Sequence, residues 1–381
     1  MKQKILRLLS YLLVAVLSSA LTLAVFTVPE HYTKLEQLED LIEERYIGEA
    51  DSTALEDAAA HAMIAATGDR WSYYIPASEY AAYAEQAANA YVGIGITITV
   101  SQEVPGLEVM VVNEGSSAEE AGLQVGDIIT AVEGQSTAGL TTSQVRDLVR
   151  GKEGTQVSIT YLRSGQEHTV SVTRRQVKIQ VARGELLEGG VGLVTIVNFD
   201  DRCAEESIAA IENLLAQGAT KLIFDVRNNP GGYAHELVAL LDYLLPEGEL
   251  FRMQHYTGEE EVDSSDASCL DVPMAVLVNR DSYSAAEFFA VALQEYGAAL
   301  VVGEQTSGKG YFQTTIHLND GSAVALSVGR YFTPKGISLE GVGITPDVAS
   351  TVNEDVYLDI YYGYLEPQED PQIQAVLAAL Q

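Results

Sequence analysis

The sequence predicts a multidomain α+β chain: an apolar N-terminal span, a helical segment, a compact strand-rich module and an α/β core. Three observations lead there. An uncharged run from Leu8 to Pro29 follows Lys2, Lys4 and Arg7. At Tyr91 the texture changes from alanine-rich helical periodicity to short alternating strands. From about Val177, apolar runs of strand length alternate with amphipathic stretches, the pattern of a mostly parallel sheet flanked by helices.

Residues 1–29 are expected to anchor the chain. Leu8 to Val28 matches the ~20 residues a helix needs to cross the hydrocarbon layer. It exceeds the roughly 7–15 apolar residues of a cleaved secretory signal, which is the alternative. The three cations should stay in the cytoplasm, which places residues 30–381 outside it in a single-pass arrangement. The whole chain of 381 residues carries 54 Asp plus Glu against 22 Lys plus Arg, a net charge of −32. Without a basic face to replace condensed counterions, nucleic-acid binding is excluded. Cys203 and Cys269 are too few for a disulfide framework and have no zinc-site spacing, so neither a metal nor a cofactor is expected.

Residues 30–90 read as a helical domain. Leu35, Leu38, Leu41 and Ile42 recur at helical spacing, and ALEDAAAHAMIAATG continues to a capping Gly68. Trp71, Tyr73 and Tyr74 form a packing cluster that pins the segment to the body.

Residues 91–176 alternate short strands with two brief helices, SSAEEAG and TTSQVRDLVRG. The run Tyr91-Val92-Gly93-Ile94-Gly95-Ile96, with Ser117-Ala118, Ala121-Gly122-Leu123 and Gly126-Asp127 downstream, resembles a PDZ domain. Glycine-freed N–H groups would form a nest for a C-terminal carboxylate, and the peptide behind it would add as a strand to a sheet edge. Arg150, closing the second helix, is a further candidate for peptide sensing.

Residues 177–350 carry three loops that directly follow apolar strands, where open α/β sheets build their sites. They are Asp225-Val226-Arg227-Asn228-Asn229-Pro230-Gly231-Gly232, Asn279 to Glu287, and Gly303 to Gly310. The third imitates a phosphate-binding P-loop, but Gly310 stands where a magnesium-binding hydroxyl is required and a strand follows instead of a helix. Taken singly, each loop has an ordinary explanation. Ser284-x-x-Glu287 is a capping box, Lys309 a solvated lysine, Asn228 and Asn229 turn residues, and His235 and His317 ordinary histidines.

Together these loops resemble the C-terminal processing peptidases, or tail-specific proteases, which are serine peptidases with a Ser-Lys catalytic pair and a PDZ domain. The resemblance extends to GDRWSYYIPASEY and TPKGISLEGVGITPD. It implies a crotonase-like core, Ser284 as nucleophile, Lys309 as general base and Gln313 as the residue that orients the lysine. Backbone N–H groups of Ala285 and of Gly231 or Gly232 would bind the oxyanion. The implied activity is extracytoplasmic endoproteolysis of chains recognised by their C-termini, with a homodimer through the N-terminal helices as a further implied partner. Tyr283, where a small residue is usual, would narrow the pocket beside the nucleophile; Ala286 stands where Ser is common. Tyr283 favours the alternative, a catalytically inactive anchored PDZ scaffold. The loop around Lys309 brings no charge of its own, as a base of lowered pKa requires. Residues 351–381 are expected to be a C-terminal helical tail.

Overall fold

The protein is described by a computed structural model covering Ser18, residues 33–102 and residues 104–380. The expected membrane span, Ser18 excepted, lies outside the described residues; among them no helix is long and apolar enough to cross a membrane. Two compact units emerge, Met1–Arg70 and Trp71–Gln381.

The first unit contains α1 (Lys34–Arg45) and α2 (Ser52–Ala65). Helix α1 opens on a reciprocal capping box: the N–H of Thr33 donates to Glu36 Oε2 at 2.6 Å, and the N–H of Glu36 to Thr33 Oγ1 at 3.3 Å. Asp51 caps α2 through the N–H of Ala54.

The second unit begins with β1 (Tyr73–Ile75), α3 (Ala77–Ala87) and β2 (Ala90–Gly93). The expected boundary at residue 90 therefore falls about twenty residues earlier, because β1 is built into a sheet of the core. The strand-rich module follows: β3 (Ile96–Val100), β4 (Leu107–Val112), α4 (Ser117–Glu120), β5 (Ile128–Val132), β6 (Gln135–Ser136), α5 (Thr142–Val149), β7 (Gln156–Arg163), β8 (Gln166–Thr173) and β9 (Arg175–Lys178). Its sheet runs β3-β4-β5-β7-β8, so β3 has an open edge. From Tyr91 to Val100 the chain does not run as one strand but breaks at Gly95, whose φ is +82°; β2 pairs with β9. Ile94, Val109, Ile129, Val145, Val157 and Ile159 fill the module's interior.

The core is made of β10 (Ala182–Leu187), β11 (Val191–Ile196), α6 (Cys203–Ala216), β12 (Lys221–Asp225), α7 (Ala234–Leu244), β13 (Gly248–His255), β14 (Glu260–Ser265), β15 (Met274–Val278), α8 (Ala285–Glu295), β16 (Ala299–Gly303), β17 (Tyr311–His317), β18 (Ala323–Phe332) and β19 (Val348–Ala349). One sheet has the order β10-β11-β12-β15-β16-β19; its neighbours are parallel except β10 and β11. A second, antiparallel sheet joins β1-β18-β13-β14, with β17 on β18. Its β1, β13 and β14 have no counterpart among the expected strands.

Helix α8 packs against β16, α7 and β13, which explains why Ala285 to Leu293 are all buried. Phe289 meets Phe199 and Phe224 at ring distances of 5.5 and 5.4 Å. Burying each such ring is worth about 2 kcal/mol.

The chain closes with α9 (Glu354–Tyr361) and α10 (Pro371–Ala379). The expected tail is part of the core. Ile373 and Val376 of α10 are buried against Val191, Leu193, Ile223, Ala275, Leu277 and Val302, covering the sheet's other face. Its cap, Asp370, lies 2.8 Å from Arg227 in a buried ion pair.

Candidate active site

Strands β12 and β15 are adjacent and parallel, so the loops at their carboxyl ends emerge side by side. Asparagine pairing joins them. The N–H of Asn228, held at φ +59°, donates to Asn279 Oδ1 at 2.9 Å, and Asn279 Nδ2 donates to Asn228 Oδ1 at 2.8 Å. Ser282 Oγ donates to the carbonyl of Val226 at 2.7 Å, and the N–H of Tyr283 to that of Asn229 at 3.1 Å. Asn229 is itself buried and donates to the carbonyl of Ile196 at 2.8 Å. These turn residues are cross-links between strand ends, a role no local turn preference conveys.

Ser284 stands at the first turn of α8 with φ +60° and ψ −127°, a conformation sparsely populated by any residue except glycine. Ser284 is buried, beside a small pocket. The turn is tolerated because Gly231 lies directly against it. A Cβ at Gly231 would come within 2.7 Å of Ser284 Cβ and 2.8 Å of the Ala285 nitrogen. Gly231 donates its own N–H to Asn229 Oδ1 at 2.8 Å. Gly232 bridges to Phe199, but the two bonds of that bridge use the N–H groups of Phe199 and Tyr233, not its own. Beside Ser284 a small apolar pocket is lined by Leu237, Phe251, Phe288 and Tyr331 along with Gly232 and Ala285.

Tyr283 is not among the lining residues. Its ring stacks on Trp71, with centroids 5.8 Å apart and planes at 28°. The expected narrowing is therefore corrected for this pocket, whose lining Tyr283 does not join.

Lys309 lies on the loop between β16 and β17, with its Nζ 5.2 Å from the Trp71 ring centroid and 5.8 Å from that of Tyr283. The loop's own residues are uncharged, as expected, but the fold brings two carboxylates to its backbone. Fully buried Glu287 accepts the N–H groups of Gly308 and Lys309, each at 2.8 Å, that of Ser284 at 3.0 Å, and the hydroxyl of Thr306. Burial pushes this carboxyl above its ordinary pKa, and the four donors pull against that shift. Glu340 accepts the N–H of Gly310 at 2.8 Å on one oxygen and Trp71 Nε1 at 3.2 Å on the other. Gln313, expected to orient the lysine, donates its amide to Ser327 Oγ at 2.9 Å and to the Tyr311 carbonyl at 3.3 Å.

The sequence thus pointed to Ser284, Lys309 and the glycines, and missed Glu287 and Trp71 as parts of the site. Glu287 carried a signal, the capping spacing, but not its long-range donors. Trp71 carried only its aromatic character.

In the module, a groove between β3 and α5 is lined by Tyr91, Gly93, Ile94, Gly95 and Ile96 with Val149 and Arg150. Val92 is not among its lining residues; its N–H faces Glu85 at 3.5 Å. Arg150 pairs with Glu85 of α3 at 3.1 Å and lies over the Tyr91 ring at 4.9 Å, so the groove's end is tied to the helix that leads in from the core.

Away from these sites, Asp201, His235 and Glu236 bring ligand atoms within 4.8 Å of one another. Both oxygens of Glu236 already accept backbone N–H groups, those of Arg202 and Ala204.

Residues 190–350 match the description "Peptidase family S41" and residues 108–163 "PDZ domain". A Staphylococcus saprophyticus protein named "Probable CtpA-like serine protease" is 32% identical over 320 residues, covering 82% of this chain. The chain spans only 64% of that relative's length. Among solved structures, a photosystem II D1 C-terminal processing protease is 29% identical with a TM-score of 0.48, covering 84% of this chain and 87% of its own. An S41 protease structure from Bacteroides fragilis NCTC 9343 shares the fold, with a TM-score of 0.52 at 17% identity, covering 92% and 97% of the two chains. The strand-rich module thus carries a PDZ-domain match and the mixed α/β core an S41-peptidase match, a likeness this chain shares with CtpA-like serine proteases.

Proposed function

We propose that the protein is an extracytoplasmic serine endopeptidase, anchored through residues 1–29, that cleaves polypeptides recognised by their C-termini. The observation that carries the chemistry is the common attachment of Ser284 and Lys309 to Glu287, which ties nucleophile and base to one point. Serine hydroxyl becomes a useful nucleophile only when a base takes its proton. Lys309 takes it as Ser284 attacks the scissile carbonyl, then returns it to the leaving amine, and water releases the acyl group. The N–H groups of Ala285 and Gly232 stabilise the oxyanion, since that of Gly231 is already donated to Asn229. Gln313, on the strand that follows Lys309, is the proposed orienting residue, with its amide nitrogen held by Ser327 and Tyr311.

Recognition falls to the groove between β3 and α5. Its open strand edge suits a peptide added as a further strand, and its glycines suit a terminal carboxylate. The Arg150 pair with Glu85 supports a link from an occupied groove to α3 and the core.

The test is cleavage of an unfolded substrate by the full chain and two variants. Ser284→Ala and Lys309→Ala should abolish hydrolysis while leaving the affinity for a C-terminal peptide intact. Wild-type turnover by either variant would rule out the Ser-Lys assignment. Activity should also rise with pH as the lysine loses its proton.

A further inference from the structure

Strand β10 ends the six-stranded sheet: β11 lies on one side of it, and among the described residues no strand lies on the other. The N–H of Val197 donates to the Val181 carbonyl at 2.9 Å, which sets the alternation of the β10–β11 ladder. Arg183 and Glu185 therefore turn their backbone groups to β11, and Ala182, Gly184 and Leu186 turn theirs outward. Glu206 already accepts the N–H of Ala182, at 3.3 Å. The edge is otherwise bare. Arg183, Gly184, Glu185 and Leu186 are all exposed, and neither a bulge nor a proline blunts the strand.

The two faces of the strand differ. A Cβ on Gly184 would meet Leu214 and Ala210 of α6, so Ala182, Gly184 and Leu186 share the α6 face and Arg183 and Glu185 the opposite one. On the α6 face a groove of about 560 Å³ opens beside the edge, with Ile179, Ala182, Gly184, Ala210 and Leu214 in its walls. Leu186 remains 39% exposed there.

The edge complements itself. When two antiparallel copies are related by a two-fold axis through Gly184, each glycine faces its counterpart in a hydrogen-bonded pair. Arg183 of each copy then faces Glu185 of the other, at the non-hydrogen-bonded positions where opposed side chains stand closest. Leu186 of each copy lies opposite Ala182 of the other, beside the groove. An axis through Arg183 or Glu185 would instead oppose like charges. We propose that β10 is a self-association edge that joins two copies of this chain through a continuous sheet, with Arg183 paired to Glu185 across the axis. A two-fold interface must be self-complementary, and the opposite charges two residues apart meet that condition. Backbone hydrogen bonds and Leu186 hold the contact, and the charges fix its register. The proposal goes beyond the peptidase reading and does not rest on it.

The test is sedimentation of the full chain in detergent micelles, reading the dimer dissociation constant of each protein. Arg183→Glu opposes acid to acid at both charged positions, and Glu185→Arg opposes base to base. Each should raise the constant about tenfold or more. Mixing the two single variants restores both opposite-charge pairs in a heterodimer, as does combining the two substitutions in one chain. Both should return the constant to within about threefold of wild type. Thermal midpoints followed in parallel tell a dissociated variant from an unfolded one, and the chain carrying both substitutions replaces a single variant that does not fold. A wild-type chain that stays monomeric overturns the proposal, as does a mixture no tighter than its components. Association through the N-terminal helices alone would leave all these proteins equal, and that result overturns it too.

Discussion

Ser284 and Lys309 donate their backbone N–H groups to the same oxygen, Glu287 Oε2, at 3.0 and 2.8 Å. The helix that begins at Ser284 thereby carries, one turn in, the attachment point of Lys309. Separate loops are registered to each other by one buried carboxylate, a stiffer connection than packing alone provides.

That arrangement makes Glu287→Gln a severe change. All four partners donate to the carboxylate, so an amide nitrogen in place of one oxygen opposes donor to donor. Leaving one or two buried donors unsatisfied costs about 2–4 kcal/mol. Chemical denaturation should register this loss, and peptide cleavage should fall much further than the loss of folded protein explains.

Gly231→Ala places a methyl group against the nucleophile turn, at 2.7 Å from Ser284 Cβ, on a backbone already at φ +87°. Displacing the turn also moves the Ala285 N–H from its proposed oxyanion position, and losing one such donor typically costs 10²–10³ in kcat. Steady-state kinetics should show at least about a hundredfold fall in kcat with peptide binding to the PDZ domain unchanged.

Asp200, beside the Phe199–Gly232 bridge, has its pKa raised from 3.8 to about 7 by burial and by the nearby charges of Asp201 and Glu236. The folded state therefore holds this proton more tightly than the unfolded chain. Its stabilising effect is complete below about pH 4 and is lost as pH rises through about 7. Asp200→Asn should match the wild-type thermal midpoint more closely near pH 4 and exceed it increasingly towards pH 8. A constant difference between the two proteins across that range would contradict the assignment.

Glu85 already holds the Arg150 guanidinium, for which a carboxylate entering the groove would compete. Arg150→Ala should weaken C-terminal peptide binding several-fold, whereas Glu85→Gln should tighten it, as titration calorimetry would read. The pair is about one third exposed, and solvent screening keeps such a pair to about 1 kcal/mol, so neither change should move the thermal midpoint much.

Much of this was legible in the sequence where the signal was local. The parallel core follows from apolar runs such as MAVLV of β15, buried at every position. The module follows from its alternation and glycines, and Ser284 from its place after a strand. Strands β13 and β14 were not legible: β14 is acidic, with EEVDSS along a sheet edge, and charge there obscures the alternation while discouraging unwanted pairing. Glu287 was legible as a cap only, because its other donors arrive some twenty residues later through folding. Helix α10 looked like a tail because its burial depends on a sheet face built far upstream.

The tie between Arg227 and Asp370 has a consequence for synthesis. Arg227 introduces the loop that ends in Gly231 and Gly232; it grips Asp225 with two guanidinium nitrogens and reaches Asp370 and Gln372 with a third. The chain is made N-terminus first, so Ser284 and Lys309 precede the helix that steadies the neighbouring loop. A chain ending before Asp370 should bear both side chains and yet leave that loop without one of the contacts that hold Arg227.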